Sequence, residues 1–307
     1  MDWFLVFIFV LLLWVVSLCK VLYASHLSTV SFLSKGEDAQ KRKVMLVAAH
    51  PDDEAMFFSP TILYLTSKGH TVHILCLSTG NADGKGNVRK EELYHDGKGN
   101  VRKEELYHAG SSLKIFMFVQ NNIAWLYVTN VSYNFVMVKQ DGFDNMWSAI
   151  LISKIIQEET ASQGIDLLIT FDSYGISGHR NHRDLHNGIW CDTPRGRITL
   201  LRIEIPDNSE INVYGLGGSN DHCLSWLLIY FQLSTSIIRK YSGPIDLWLS
   251  ALLGSSSRGQ RHCLLNEHPV KSFMAMAQHQ SQWIWFQELF VVFSSYTYVN
   301  TLRRINL

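Results

Sequence analysis

His50, Asp52, Asp53 and Glu54 fall within one run, Ala49-His-Pro-Asp-Asp-Glu54, directly after the apolar stretch Val44-Met-Leu-Val-Ala48. An imidazole and a carboxylate three residues apart can grip the same divalent metal, and the carboxylate between them stays available as a base. A second cluster, Gly178-His-Arg-Asn-His-Arg-Asp184, also follows an apolar stretch. If the strands that precede the two clusters are neighbours in a parallel sheet, both clusters meet at its carboxyl edge, where ligands bind in open α/β folds. His50, Asp53 and His182 then make a two-histidine, one-carboxylate site. Three protein ligands leave one position open to water, which marks a catalytic rather than a structural zinc and lowers that water's pKa to about 7. Asp52 is placed to take the water's proton, and His179 to donate to an oxyanion forming on the far side of the metal.

The elements that must carry these residues are visible in the pattern of apolar residues. Residues 44–49 read as a first strand, 54–68 as a helix closed by Gly69, and 71–77 as a second strand, a βαβ unit with parallel strands. Residues 144–163 carry a helical stripe (Trp147, Ile150, Leu151, Ile155) ended by Gly164, and 166–171 form another buried strand immediately before the second histidine cluster. The other histidines considered, His70, His73, His95, His108, His186, His222, His262 and His268, read as hydrogen-bonded structural residues. There is no Gly-x-Ser-x-Gly elbow, which excludes a serine hydrolase of that kind, and no Gly-x-Gly-x-x-Gly after the first strand, which excludes a strict dinucleotide fold.

The 307 residues are 47% hydrophobic and 18% charged with a formal net charge of +0, which gives no basic footprint for nucleic acid. Five widely spaced cysteines without a Cys-x-x-Cys pair fit a reducing compartment better than a disulfide framework. Residues 3–19 are an almost unbroken apolar run that 21–24 extend to membrane-spanning length. Asp2 stands where a signal peptide wants a basic residue, and Leu22-Tyr-Ala24 is a poor cleavage site, so the segment reads as an uncleaved anchor. Lys20, Lys35, Lys41, Arg42 and Lys43 all follow it, which puts the rest of the chain on the cytosolic side. Residues 1–24 thus read as the anchor and 25–43 as a polar linker, and 44–302 remains as one domain.

One segment is repeated without change: Asp83-Gly-Lys-Gly-Asn-Val-Arg-Lys-Glu-Glu-Leu-Tyr-His95 recurs as 96–108. Two copies do not make a solenoid. Residues 81–92 only faintly resemble a calcium loop, since Lys85 occupies a ligand position. Residues 115–138 carry no charge, but Gln120, Asn121, Asn122, Asn130 and Asn134 make a second membrane span poor, and a β-rich insertion or a spurious segment is expected instead.

The two metal motifs together resemble the LmbE-like family of zinc-dependent N-deacetylases, and within it the branch that acts on N-acetylglucosaminyl-phosphatidylinositol. Supporting stretches are Ser78-Thr-Gly-Asn-Ala-Asp-Gly84, Phe171-Asp-Ser-Tyr-Gly-Ile-Ser-Gly-His179, Arg239-Lys-Tyr-Ser-Gly-Pro244 and Met276-Ala-Gln-His-Gln-Ser-Gln282. The resemblance covers residues 44–114, 141–189 and 237–302. It implies an α/β fold with a Rossmann-like, mainly parallel sheet flanked by helices, and Zn2+ or another divalent metal. The implied ligands are His50, Asp53 and His182, with Asp52 as base and His179 as oxyanion donor. It assigns Arg89, or its duplicate Arg102, to the sugar, and His279 and Gln282 to the substrate side or to support behind the ligands. The implied reaction is removal of acetate from a membrane glycolipid in GPI-anchor synthesis, at the cytosolic face of the endoplasmic reticulum. Residues 115–140 and 190–236 do not match the family, and the duplicated segment is single there. The alternatives are a deacetylase of another N-acetylglucosamine conjugate, or a membrane-tethered paralogue or aberrant isoform that has lost turnover.

Overall fold

The computed structural model describes residues 3–23, 41–78, 131–135, 146–190, 227–255, 261–279, 283 and 285–305. The duplicated segment 83–108 with Arg89 and Arg102, most of the linker 25–43, most of 115–140 and 190–236, and Gln282 lie outside the described residues.

Apolar runs without alternation build strands that are covered on both faces. The central strands β1 (Lys43–Ala48) and β4 (Leu167–Phe171) are of this kind, buried from Val44 onward and throughout, respectively. With β2 (Thr71–Cys76), β3 (Val131–Phe135), β5 (Leu228–Gln232), β6 (Arg261–Leu265) and β7 (Val299–Arg304) they form a seven-stranded sheet in the order β3-β2-β1-β4-β5-β7-β6. The first five strands of that order are parallel, and β7 runs antiparallel to both its neighbours. This is the expected mainly parallel α/β sheet. Its strand order reverses between β1 and β4, so a crevice opens outside the carboxyl ends of those two strands.

Helices cover the sheet. They are α2 (Asp53–Phe57) and α3 (Ser59–Ser67) after β1, α4 (Ala149–Gln163) before β4, and α5 (Gly175–Gly178) and α6 (Arg180–Ile189) after it. Further along come α7 (Ile237–Lys240), α8 (Asp246–Ser255), α9 (Pro269–Ala277) and α10 (Trp285–Phe293). The single helix expected over 54–68 is two helices, with Phe58 between them at φ −121. Pro60 explains the break: it has no N–H to donate, and its ring would clash with the preceding turn of a continuous helix, whereas it fits the first turn of α3. Helix α4 starts at Ser148, whose side chain accepts from Leu151 N, and stops at Gly164, which takes the left-handed conformation that glycine adopts at low cost. β3 and β5 come from the stretches 115–140 and 190–236, so part of each is sheet.

The N-terminal run forms α1 (Trp3–Tyr23), the one helix among the described residues long and apolar enough to cross a membrane, with a mean hydropathy of 2.8. Ser17 and Val21 are its buried residues.

Candidate active site

The chain leaves β1 at Ala48 and turns over the sheet edge at His50. Asp53 opens α2 with its side chain folded back on this turn, and Oδ2 accepts the backbone N–H groups of Ala49 and His50, both at 2.9 Å. The residue is only 2% exposed. Burial pushes its carboxyl up, but the nearby His182 charge and hydrogen bond, with the charge and N–H of His50, outweigh burial and hold it at about 2. Asp53 is therefore an ionised acceptor at neutral pH, tied to the backbone of the turn.

Asp52 is only half-buried, and it does not spend its carboxylate capping α2. Its backbone sits at φ 144, where a non-glycine residue costs ~1–3 kcal/mol unless its surroundings enforce it. The enforcing contact is Glu54: Oε2 accepts the Asp52 N–H at 3.2 Å, and Oε1 accepts from His279 Nε2 at 2.9 Å. Glu54 and His279 are both 0% exposed. His279 is thus packed behind Asp52 against Glu54, which agrees with the supporting role, one of the two that the resemblance implies for it.

Beyond β4, Asp172 organises the second loop: its carboxylate accepts the N–H groups of Tyr174, Gly175 and Ser234 and the Ser234 hydroxyl. Ser234 Oγ in turn accepts the N–H of Ile176, which is held at φ 61. Asp52 and Ile176 are the two non-glycine residues of positive φ among those described, and each adjoins one of the two histidine clusters. Gly175, at φ +67, passes so close to His182 that a Cβ would lie 2.6 Å from the His182 Cβ. Its carbonyl takes the His182 Nδ1 proton at 3.0 Å. The His182 ring, stacked on Phe171 at 4.1 Å, consequently points Nε2 at Asp53 Oδ1, 3.2 Å away.

His179 caps α6, and its Nδ1 accepts the N–H of Asn181 at 3.3 Å. That bond puts the ring proton on Nε2 and makes His179 a donor. Burial, then the neighbouring His182, lowers its pKa, so it is a neutral donor at pH 7. Nitrogens of His50, His179 and His182 all lie within 4.8 Å of one another. His50 Nε2 meets the buried Asn181 amide at 3.1 Å, and its Nδ1 is 3.8 Å from Asp53 Oδ2.

These donors fit a divalent metal. With Nδ1 committed to Gly175, the buried His182 Nε2 directly faces the Asp53 carboxylate oxygen. Only a proton or a metal cation between them makes that approach favourable. Two ligand atoms ~2.0–2.1 Å from a tetrahedral ion stand about 3.3 Å apart, close to the separation seen. The fold brings together His50, Asp52, Asp53, His179 and His182. Sequence reading missed the positioning roles of Glu54, Gly175, Asn181 and the Asp172–Ser234 pair. Gly175 and Asn181 lie inside quoted motifs, but their roles depend on contacts that spacing does not reveal. His70, expected to be structural, accepts the Arg42 N–H at 3.1 Å, away from the site.

Residues 45–190 match the family described as PIG-L: GlcNAc-PI de-N-acetylase. The chain is 32% identical over 267 residues to a probable N-acetylglucosaminyl-phosphatidylinositol de-N-acetylase of Dictyostelium discoideum, covering 86% of this chain and 94% of that protein. It is 31% identical over 303 residues to the probable enzyme of the same name from Schizosaccharomyces pombe, covering 95% of this chain and 99% of that one. Among solved structures it is similar to the A40926 pseudoaglycone deacetylase Dbv21, with a TM-score of 0.49 and 10% identity over 87% of this chain and 98% of the other.

Proposed function

The chain belongs to the GlcNAc-PI de-N-acetylase family, and from that premise we propose that it hydrolyses the N-acetyl group of N-acetylglucosaminyl-phosphatidylinositol with the help of a divalent metal, zinc being the favoured ion. The observation that carries this reading is the approach of His182 Nε2 to Asp53 Oδ1 at 3.2 Å, beside His50, at the switch point of the sheet. His50, Asp53 and His182 would hold the metal, which when bound supplies Lewis acidity to the acetamide carbonyl and acidifies a water. Asp52 stands next to Asp53, with its backbone pinned by Glu54, and accepts the proton of the attacking water. His179 presents Nε2–H to the carbonyl oxygen as negative charge grows there. The proton that Asp52 has taken is then available to the departing amine. Arg89 or Arg102 is assigned to the sugar by the family resemblance.

In this reading α1 anchors the chain at the endoplasmic reticulum with the catalytic domain in the cytosol, for the second step of GPI-anchor synthesis. Tethering raises the effective concentration of enzyme near a substrate that cannot leave the membrane. The test is deacetylation of the glycolipid by membranes carrying this chain, beside Asp52→Asn. Activity that the substitution abolishes, and that chelation removes and added zinc restores, is the expected result. A stably expressed, membrane-bound chain with no activity would overturn the reading and favour a relative that has lost turnover.

A further inference from the structure

Helix α1 does not stand clear of the domain. Trp14 lies against the turn Gly243–Ile245, so close that a Cβ on Gly243 would come 2.8 Å from the indole nitrogen. Its ring is 6.4 Å from that of Phe293 in α10. Farther along, Ser17 Oγ accepts from Trp248 Nε1 of α8 at 2.9 Å, and Lys20 Nζ sits 3.7 Å above the same indole. Val21 is buried with Leu247 and Tyr298. Trp14 precedes the last residue of α1, Tyr23, by nine positions. At ~1.5 Å per residue that is about 13 Å along the axis. If α1 crosses a bilayer, whatever touches Trp14 lies well below the surface.

The helices around that turn expose large apolar side chains. Ile237 and Ile238 of α7 are 73% and 82% exposed, Leu252 of α8 is 69%, and Trp285 of α10 is 72%, with Phe286 and Leu289 beside it. On α10, Phe286, Leu289 and Phe293 share one helical face with Trp285, away from the buried Val291. The basic residues nearby do not present their charge: Arg239 is paired with Asp246 at 2.6 and 3.0 Å, and Lys240 is 9% exposed, its Nζ over the rings of Tyr241 and Phe290. Soluble surfaces rarely leave so large an apolar patch open to water.

We propose that α7, α8 and α10 form a second membrane-embedding surface, sunk among phospholipid acyl chains in the leaflet that receives the end of α1. The proposal rests on the reading of α1 as a spanning helix. Its consequence is for the depth of the site. Phe290 of α10 packs 5.8 Å from Phe57, whose ring is 5.9 Å from His182. One aromatic ring therefore separates the immersed helix from a metal ligand, and the catalytic edge of the sheet is held at the level of lipid headgroups, where a phosphoinositide-borne sugar is displayed.

The test uses the full chain reconstituted in phosphatidylcholine vesicles doped with a phospholipid that carries a photoactivatable diazirine in its acyl chain. After irradiation, labelled peptides are mapped by mass spectrometry. Lys154 and Glu158, exposed on α4, mark the water-facing background. Label in α1 and in peptides spanning 237–241, 248–252 and 285–293, at about tenfold that background, is the expected result. Label in α1 with the other three at background would overturn the proposal while leaving the anchor intact, and would place a protein rather than lipid on this face. Background labelling of α1 as well would overturn the anchor and the proposal together.

Discussion

Replacing Glu54 by Gln isolates the device that holds the base. The Glu54 carboxylate accepts at both oxygens, from the Asp52 N–H at 3.2 Å and from His279 at 2.9 Å, deep in the protein. Gln keeps the size but offers one acceptor and one donor. If its oxygen faces Asp52, its amide N–H confronts His279, which must then move its proton to Nδ1, an atom with no hydrogen-bond partner among the described residues. If its oxygen faces His279, its N–H group confronts the Asp52 N–H. Either arrangement orphans at least one donor, at a cost of about 1–3 kcal/mol. The second also releases the φ 144 backbone of Asp52, whose strain of ~1–3 kcal/mol favours relaxation. A base displaced by about 1 Å can cost roughly a hundredfold in rate. Glu54→Gln is therefore expected to lose about 1–3 kcal/mol of stability and roughly ten- to a hundredfold in kcat, with KM and bound metal unchanged. Glu54→Leu, which orphans both donors, approaches the ~5–15 kcal/mol that a whole domain possesses and is the less informative variant. The assays are denaturant unfolding, deacetylation kinetics and metal content by mass spectrometry. Lower stability at undiminished kcat would refute the positioning role, and loss of metal would show that the pair supports the ligands instead.

Three further outcomes are expected. Asp53→Ala should lose metal and activity together, whereas His179→Ala should keep its metal and lose about two to three orders of magnitude in kcat, as for removal of an oxyanion donor; metal loss in His179→Ala, measured on the purified protein, would make His179 a ligand. Gly175→Ala places a Cβ 2.6 Å from the His182 Cβ at φ +67, so metal affinity should fall about 10–100-fold by titration, and unchanged affinity would mean that His182 is not held by this turn. Burial pushes the Tyr296 phenol from 10.0 up to about 12, against hydrogen bonds from Thr235 that favour its ionised form. Because the folded value is the raised one, its contribution to stability is intact below pH 10 and lost as pH rises through about 12. Unfolding free energy should fall over that window, and Tyr296→Phe should remove Tyr296's share of the fall; an unchanged pH slope would contradict it.

The metal-site candidates were legible in the sequence because each half is local. His50, Asp52 and Asp53 are within four residues of one another, as are His179 and His182, and each group follows a run apolar enough to require a strand buried on both faces. The break at Phe58 is also written there, in Pro60, but within an apolar pattern that favours one helix. α1 declared itself by length and composition alone.

What the chain could not disclose locally is decided by contacts between distant residues. The two halves of the site face each other because β1 and β4 are adjacent, a pairing chosen by the sheet as a whole. His279 supports the base across 225 residues of sequence, through a buried pair that no spacing rule foresees. The histidine tautomers depend on single partners, the Gly175 carbonyl for His182 and the Asn181 N–H for His179. The docking of Trp14 on Gly243 joins the first helix to a turn 229 positions away, 243 less 14. Local sequence determines which groups can do chemistry and which segments shun water, since both follow from residue type and short-range period. Which of those groups converge, and which apolar faces stay uncovered, is settled only when the strands are ordered and the helices packed.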